Sequence, residues 1–242
     1  MYRTLRVERL DRVALITLNR PEQLNAYTVQ MGEDLVHAFD TLRTEDSVRV
    51  VVLTGAGRAF CAGLDLKALG EPPDPTLPAL GEERLIRSFG AELFHYPKPV
   101  IAAINGAAAG IGVTMTLPCD VRIAAAGAKL AFPFAKLGIV PGLGSSFLLP
   151  RLVGPGQAKI LALTGKTISA EEALAIGLVD RVVAPESLLA ESLELAQAIA
   201  ANSPEITGLI KEALNAGAAA TSIGDALAFE HAQNARRGSN PS

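Results

Sequence analysis

Tryptophan is absent from the 242 residues, histidine occurs three times and cysteine twice. The three histidines, His37, His95 and His231, are too few to supply a His-rich metal site or a catalytic histidine network. Two cysteines, Cys61 and Cys119, cannot build a disulfide scaffold and read as buried thiols in a reducing compartment. Charge of one sign is also lacking: 22 Lys and Arg face 25 Asp and Glu, a net charge of -3. That leaves no basic patch, so nucleic acid is excluded as an expected partner. No stretch approaches the ~18 uninterrupted apolar residues of a membrane span. The opening Met1-Tyr2-Arg3-Thr4 lacks the apolar segment of a signal peptide. The expectation is a soluble cytoplasmic protein with no membrane contact. What the chain does hold is 49% apolar against 19% charged residues, enough to build a sizeable core.

Residues 12–18 and 48–54 are short apolar runs rich in β-branched side chains and read as strands; the second is dense enough to be covered on both faces. Between them, Val29, Leu35, Val36, Phe39 and Leu42 recur at helical spacing over 28–43. Strand, helix, strand implies a right-handed crossover and a parallel pair. The alternation continues with a helix over 77–95, a strand over 99–104, a helix over 107–117 and a strand over 119–125, which predicts α/β layers. Beyond about residue 150 the chain becomes Ala-rich and helical. Ser169-Ala-Glu-Glu172 is a capping box, and helices are expected over 185–201, 204–216 and 222–236, interrupted by one short strand at 178–183. Such a tail packs on a neighbouring subunit or covers its own core. Glu71-Pro-Pro-Asp-Pro-Thr-Leu-Pro78 is a loop.

Two strand-to-helix turns carry chemistry. In Arg58-Ala-Phe-Cys-Ala-Gly-Leu-Asp-Leu66, Gly63 permits a tight turn and Asp65 suits a first helical turn. In Pro99-Val-Ile-Ala-Ala-Ile-Asn-Gly-Ala-Ala-Ala-Gly-Ile-Gly112 the glycines do not follow a dinucleotide fingerprint. Two helix starts aiming free N–H groups at one point would form an oxyanion hole.

Together with Cys119-Asp-Val-Arg-Ile-Ala124, Pro141-Gly-Leu-Gly144, Asn19-Arg-Pro-Glu-Gln-Leu-Asn-Ala26 and Ile168-Ser-Ala-Glu-Glu-Ala-Leu-Ala-Ile-Gly-Leu-Val179, these stretches resemble the enoyl-CoA hydratase/isomerase (crotonase) family, in order, over residues 5 to 235. The resemblance implies a spiral of ββα units: residues 1–185 as a crotonase-like α/β core and 186–242 as a C-terminal helical trimerisation region of the same domain unit. The family's usual last helix is expected to be shortened or missing. It implies an acyl-CoA thioester as partner, in a homo-oligomer, trimer or hexamer. Coenzyme A would enter as part of the substrate, with no permanently bound cofactor and no metal. The oxyanion donors would be the backbone N–H groups of Leu64 and Ile111, framed by Gly63 and Gly110. Leu24, Asn25, Ala26 and Ala62, with Asp65 and Lys67 close by, would hold the coenzyme A moiety.

Against that pattern the chain departs in its carboxylates. The family's two hydratase glutamates fall on Thr114 and Phe134. Gly110-Ile-Gly-Val-Thr114 and Pro133-Phe-Ala-Lys-Leu-Gly-Ile-Val-Pro-Gly-Leu-Gly-Ser-Ser146 instead resemble the peroxisomal-type Δ3,Δ2-enoyl-CoA isomerases, whose single glutamate falls on Gly142. Thr114, Phe134 and Gly142 are therefore expected to line the acyl site without supplying a base. Glu82 and Glu83, on the helix expected after the Pro-rich loop, are the candidate replacements. Ser145 and Ser146 read as a helix N-cap, Lys67 as a solvated side chain or a phosphate contact, His95 as structural and Cys61 as an inert thiol. The expected activity is isomerisation or another enolisation of a fatty acyl-CoA. The alternative is a catalytically weak acyl-CoA-binding protein.

Overall fold

Strands β1 (Leu5–Leu10) and β2 (Val13–Leu18) pair as an antiparallel hairpin, and α1 (Val29–Thr44) returns the chain so that β3 (Val50–Gly55) lies parallel to β2. The computed structural model describes residues 2–70, 72 and 74–236; of Leu69 it describes the backbone only. Glu71, Pro73 and residues 237–242, which belong to the Pro-rich loop and to the C-terminal region anticipated above, lie outside the described residues.

From β3 onward the same unit recurs three times. β3 is followed by β4 (Ala59–Cys61) and then, past the Pro-rich loop, by α2 (Gly90–Phe94). β5 (Val100–Ile104) is followed by β6 (Ala107–Ala109) and α3 (Ile111–Thr114). β7 (Val121–Ala125) is followed by β8 (Lys129–Ala131) and α4 (Phe134–Leu137). The first strand of each pair joins a six-stranded sheet; the second joins a four-stranded one closed by β9 (Thr167–Ser169). The remaining strand of the large sheet, β10 (Arg181–Val183), adds to β7 in parallel. This is the α/β spiral of ββα units anticipated from the sequence.

The large sheet shows why its central strands β2, β3 and β5 are apolar at nearly every residue. Val50, Val52, Ile101, Ala103 and Ile123 turn to one face, under α7 (Leu188–Ala200), which buries Leu188, Ser192, Ala196 and Ala200 against them. Val51, Leu53, Ala102, Ile104 and Ala124 turn to the other face, into the main core with α1 and the small sheet. Period-2 alternation with both faces covered favours apolar side chains throughout, and the polar Thr54 and Arg122 are hydrogen-bonded there: Thr54 donates to the Ala103 carbonyl and Arg122 to the Leu178 and Cys119 carbonyls. Thr28 caps α1, its hydroxyl accepting from the Met31 amide at 3.3 Å, and Met31, Leu35, Phe39 and Leu42 form the buried stripe. Phe39 meets Phe89 and Tyr96 edge to face at 5.4 and 5.3 Å.

Several expectations need correction. Residues 77–83 are not helical: the segment is a run of turns, and a helical stretch begins only at Arg84, passing through a π-turn at Leu85–Phe89 into α2. Residues 107–109 are a strand and not helix, because β6 pairs with β4 and β8. The strand β9 was also not anticipated, and 178–180 precede β10 without joining it. The helix α5 (Ser145–Thr164) is broken at Gly154, whose φ of 78° and ψ of 155° interrupt it ahead of Pro155. The tail forms α6 (Ala170–Ala175), α7, α8 (Pro204–Ala219) and α9 (Ile223–Arg236). Ser169 makes the expected capping box with Glu172.

Candidate active site

The loop after β2 prepares the site. Leu24 and Asn25 both adopt left-handed backbone, φ 52° and 53°. Asparagine tolerates that region, and here its side chain is fully buried and committed. The Asn25 Oδ1 accepts from the Arg20 amide at 2.8 Å, while Nδ2 donates to the Ala56 and Ala59 carbonyls at 2.9 and 2.8 Å. The Ala62 amide donates to the Leu24 carbonyl at 3.1 Å. The Arg20 guanidinium donates to the Ala26 carbonyl and, at 2.8 Å, to Asp65. Leu24, Asn25, Ala26, Ala62 and Asp65 are thus brought together in one stitched region. Burial alone would raise the Asp65 carboxyl; hydrogen bonds from Arg20 and from the Ala68 and Lys67 amides outweigh it and hold the group below its ordinary value. Lys67 is exposed beside it.

The two glycine turns interlock. A Cβ placed on Gly63 would lie 3.1 Å from the Ala109 carbonyl oxygen; one placed on Gly112 would lie 2.1 Å from that of Cys61. Each turn therefore rests on the strand that feeds the other, which is possible because β4 and β6 run side by side in parallel. Positive φ at Gly63 (104°) and Gly110 (53°) turns the chain out of each strand. Tyr27 then bonds alternate residues of the first turn: its amide donates to the Gly63 carbonyl at 2.7 Å and its carbonyl accepts from Asp65 at 2.9 Å. The N–H of Leu64, between them, faces away from Tyr27. Ile111 is the first residue of α3, where a helix N–H has no partner within the helix. Among the described residues, no acceptor takes the Leu64 or the Ile111 N–H. Both residues are half-buried and pack on the main core.

The other anticipated residues are dispersed around this frame. Thr114 is 1% exposed and its hydroxyl donates to the Ile111 carbonyl at 3.3 Å, so it stands behind the second turn and not on an open wall. Phe134 is buried beside Phe132, with ring centroids 6.3 Å apart. Gly142 is exposed, and a Cβ there meets nothing within 4 Å. Ser145 does not cap its helix: Gly144, in left-handed backbone, takes the N-cap position, and the Ser145 hydroxyl donates to the Gly142 carbonyl at 2.6 Å. His95 closes α2 as expected. Burial pushes the Cys61 thiol up to about 11, which keeps it unreactive.

Contrary to expectation, Glu82 and Glu83 do not lie on a helix. Both lie in the turn ahead of the helical stretch. Glu82 is exposed and paired with Arg87 at 2.6 Å. Glu83 is 1% exposed, its Oε1 accepting from the Tyr27 hydroxyl at 2.8 Å and its Oε2 from the Gly81 amide at 2.5 Å. Sequence reading missed Tyr27, because a lone tyrosine near a helix start carries no spacing signal. Two clefts of about 570 and 510 Å³ flank α8 and α5 and contain none of the anticipated site residues. Volume alone would favour them as ligand sites. The unpaired donors lie at the turns, and the turns are the better candidate. Among the described residues, no three His, Cys, Asp or Glu side chains group to hold a metal ion, and no helix is long and apolar enough to cross a membrane.

A spiral of ββα units with two interlocked glycine turns defines a recognisable class, and comparison with known proteins identifies it. The enoyl-CoA hydratase/isomerase family profile matches residues 8–236, and the chain belongs to that family of enzymes. It is 42% identical over 205 residues to the 1,2-epoxyphenylacetyl-CoA isomerase of Escherichia coli K12, covering 84% of this chain and 78% of that one. It is 39% identical over 229 residues to the short-chain-enoyl-CoA hydratase of Clostridium acetobutylicum, covering 93% and 85%. The crystal structure of an enoyl-CoA hydratase from Bacillus anthracis superposes with a TM-score of 0.89 at 38% identity, covering 96% of this chain and 90% of that one.

Proposed function

We propose that this chain binds an acyl-coenzyme A thioester with its carbonyl oxygen between the N–H groups of Leu64 and Ile111, and that it isomerises or otherwise enolises the acyl group. One observation carries the reading: two backbone donors left without acceptors on turns that rest on each other's strands. Removing a proton beside a thioester carbonyl moves negative charge onto its oxygen. Donors fixed in advance stabilise that charge, and losing one costs ~3 kcal/mol of transition-state stabilisation. Coenzyme A arrives with the substrate and leaves with the product; no cofactor stays bound. The stitched region of Leu24, Asn25, Ala26, Ala62 and Asp65 holds its adenine and pyrophosphate end, and exposed Lys67 meets a phosphate. Relatives include both an isomerase and a hydratase, so the family alone does not select the reaction.

The side chains argue against ordinary hydration. That chemistry needs one carboxylate to activate water and one to deliver a proton. Thr114 and Phe134 stand at the positions the family uses, and neither is a base near neutral pH. Gly142 stands where the isomerase branch places its glutamate. The same vacancy supports a second reading, a catalytically weak acyl-CoA binder. Exposed Ile210, Leu214, Ile223 and Leu227 on α8 and α9 support a homo-oligomer, trimer or hexamer, which light scattering measures directly.

Calorimetric titration with a panel of acyl-CoAs tests what both readings share, and no saturable heat with any thioester overturns both. Solvent deuterium entering C2 or C4 of a 3-enoyl-CoA supports the enzyme; binding without label supports the weak binder. Gly142→Glu then tests the isomerase branch. Open space at that position accommodates the side chain. Turnover of 3-enoyl-CoA is expected to rise by the ~10²–10⁴ of a placed acid–base group. A folded, binding variant without that gain overturns the branch assignment.

A further inference from the structure

We propose that the buried Tyr27–Glu83 hydrogen bond is a positioning device for the Leu64 N–H: it fixes the residue whose backbone brackets that donor. The inference rests on the oxyanion reading above. The Tyr27 main chain hydrogen-bonds the Leu64 turn at Gly63 and Asp65, on either side of the donor. Its side chain is fully buried, and its hydroxyl donates to Glu83 at 2.8 Å. A tyrosine has two side-chain torsions, so fixing the hydroxyl fixes the backbone from which the ring hangs.

Glu83 is itself anchored at both ends. Its second carboxyl oxygen accepts from Gly81, and its carbonyl accepts from Ile86 and Arg87 at 3.1 and 3.2 Å, where the helical stretch begins. The surroundings of the hydroxyl are shaped for this contact, since a Cβ on Gly32 of α1 would lie 2.4 Å from the Tyr27 hydroxyl oxygen. One line of contact therefore runs from the end of the Pro-rich loop, through Glu83 and Tyr27, to the turn that carries Leu64. Both oxygens of Glu83 face protein donors, which makes it a positioning residue and not the base.

The test uses 2,4-hexadienoyl-CoA, whose absorption moves to longer wavelength when hydrogen bonds polarise its thioester carbonyl. The wild-type chain is expected to produce that shift. Tyr27→Phe is expected to bind the probe within about threefold of wild type, to lose at least about half of the shift, and to slow α-proton exchange about tenfold, as a slightly misaimed donor should. Gly32→Ala, which displaces the hydroxyl while keeping both partners, is expected to do the same and decides the matter if Tyr27→Phe does not fold. Glu83→Gln keeps an oxygen for the tyrosine and is expected to retain most of the shift, whereas Glu83→Leu loses it. A wild-type shift unchanged in both Tyr27→Phe and Gly32→Ala overturns this inference alone. No shift in the wild type overturns the oxyanion reading and this inference with it. A Glu83→Gln variant that keeps the shift yet loses exchange by ~10² or more makes Glu83 the base and also overturns it.

Discussion

Gly112 and Gly142 sit in similar glycine-rich stretches and have opposite tolerances. A methyl group on Gly112 would meet the Cys61 carbonyl oxygen at 2.1 Å, a backbone atom that cannot swing aside. Gly112→Ala is expected to cost about 1–3 kcal/mol in urea unfolding and to weaken thioester binding, because the turns must separate. Gly142→Ala, which meets nothing, is expected to leave both unchanged. Asp65 gives a pH dependence at the same scale. Its carboxyl is held below its ordinary value of 3.8 in the folded chain. The unfolded chain therefore binds the proton more readily, and the stability this group contributes is fully present above about pH 4 and is lost as pH falls through the lower folded value. Thermal melts of Asp65→Asn between about pH 5 and 2 should show a shallower acid loss than wild type. An equal loss would mean that the Arg20 contact contributes nothing to stability. Neither residue's role was visible as pattern: the glycines were read as turn-formers, while their contacts depend on a partner strand about 50 residues away.

Among the elements, α8 is held to the body by two polar anchors, one of them Asn215, whose side-chain amide donates to the Phe94 carbonyl at 2.9 Å, and the other Lys211. The Lys211 ammonium donates to the Lys98 carbonyl at 3.2 Å and to Asp120 at 2.7 Å, and Asp120 also accepts from the Val100 amide at 2.7 Å. Burial pushes the Asp120 carboxyl up against the opposing pull of that ammonium. Lys211→Met is expected to cost about 3 kcal/mol, the lower end for a broken buried pair, because Asp120 keeps the Val100 amide and is 23% exposed. Adding Asp120→Asn should restore part of the loss, and a double-mutant cycle in urea measures it. Elements were legible in the sequence where periodicity had room to repeat. β2, α1, β3 and α8 fall close to their expected bounds because each runs six residues or more. β6 and β9, three residues each, exist only through pairing and carry no periodicity of their own. The first part of the helix expected over 77–95 failed because Pro78 and Gly81, whose φ is 92°, interrupt the helical spacing of Leu77 and Leu80.

The whole molecule is one continuous spiral whose central strands are sealed on both faces, and its two thiols report on that sealing. Cys61 and Cys119 are buried, and burial holds them up at about 11 and about 12. Alkylation at pH 8 is therefore expected to follow global opening, with both cysteines modified at the same rate and that rate rising with urea. Faster labelling of Cys61 would reveal local opening of the β4 turn. The family and the fold were legible because several motifs recur in order. The Tyr27–Glu83 contact was not, because it joins residues 56 apart whose neighbours gave no reason to pair them. The interlocked turns also bear on inheritance. A peptide N–H is common to nineteen of the twenty amino acids, so among point changes at Leu64 or Ile111 only proline deletes the donor itself. A carboxylate, by contrast, disappears with a single altered codon. On the proposed reading, a lineage built on such a frame could exchange its acids and bases, and with them its reactions, while its grip on the thioester passes unchanged from one descendant to the next.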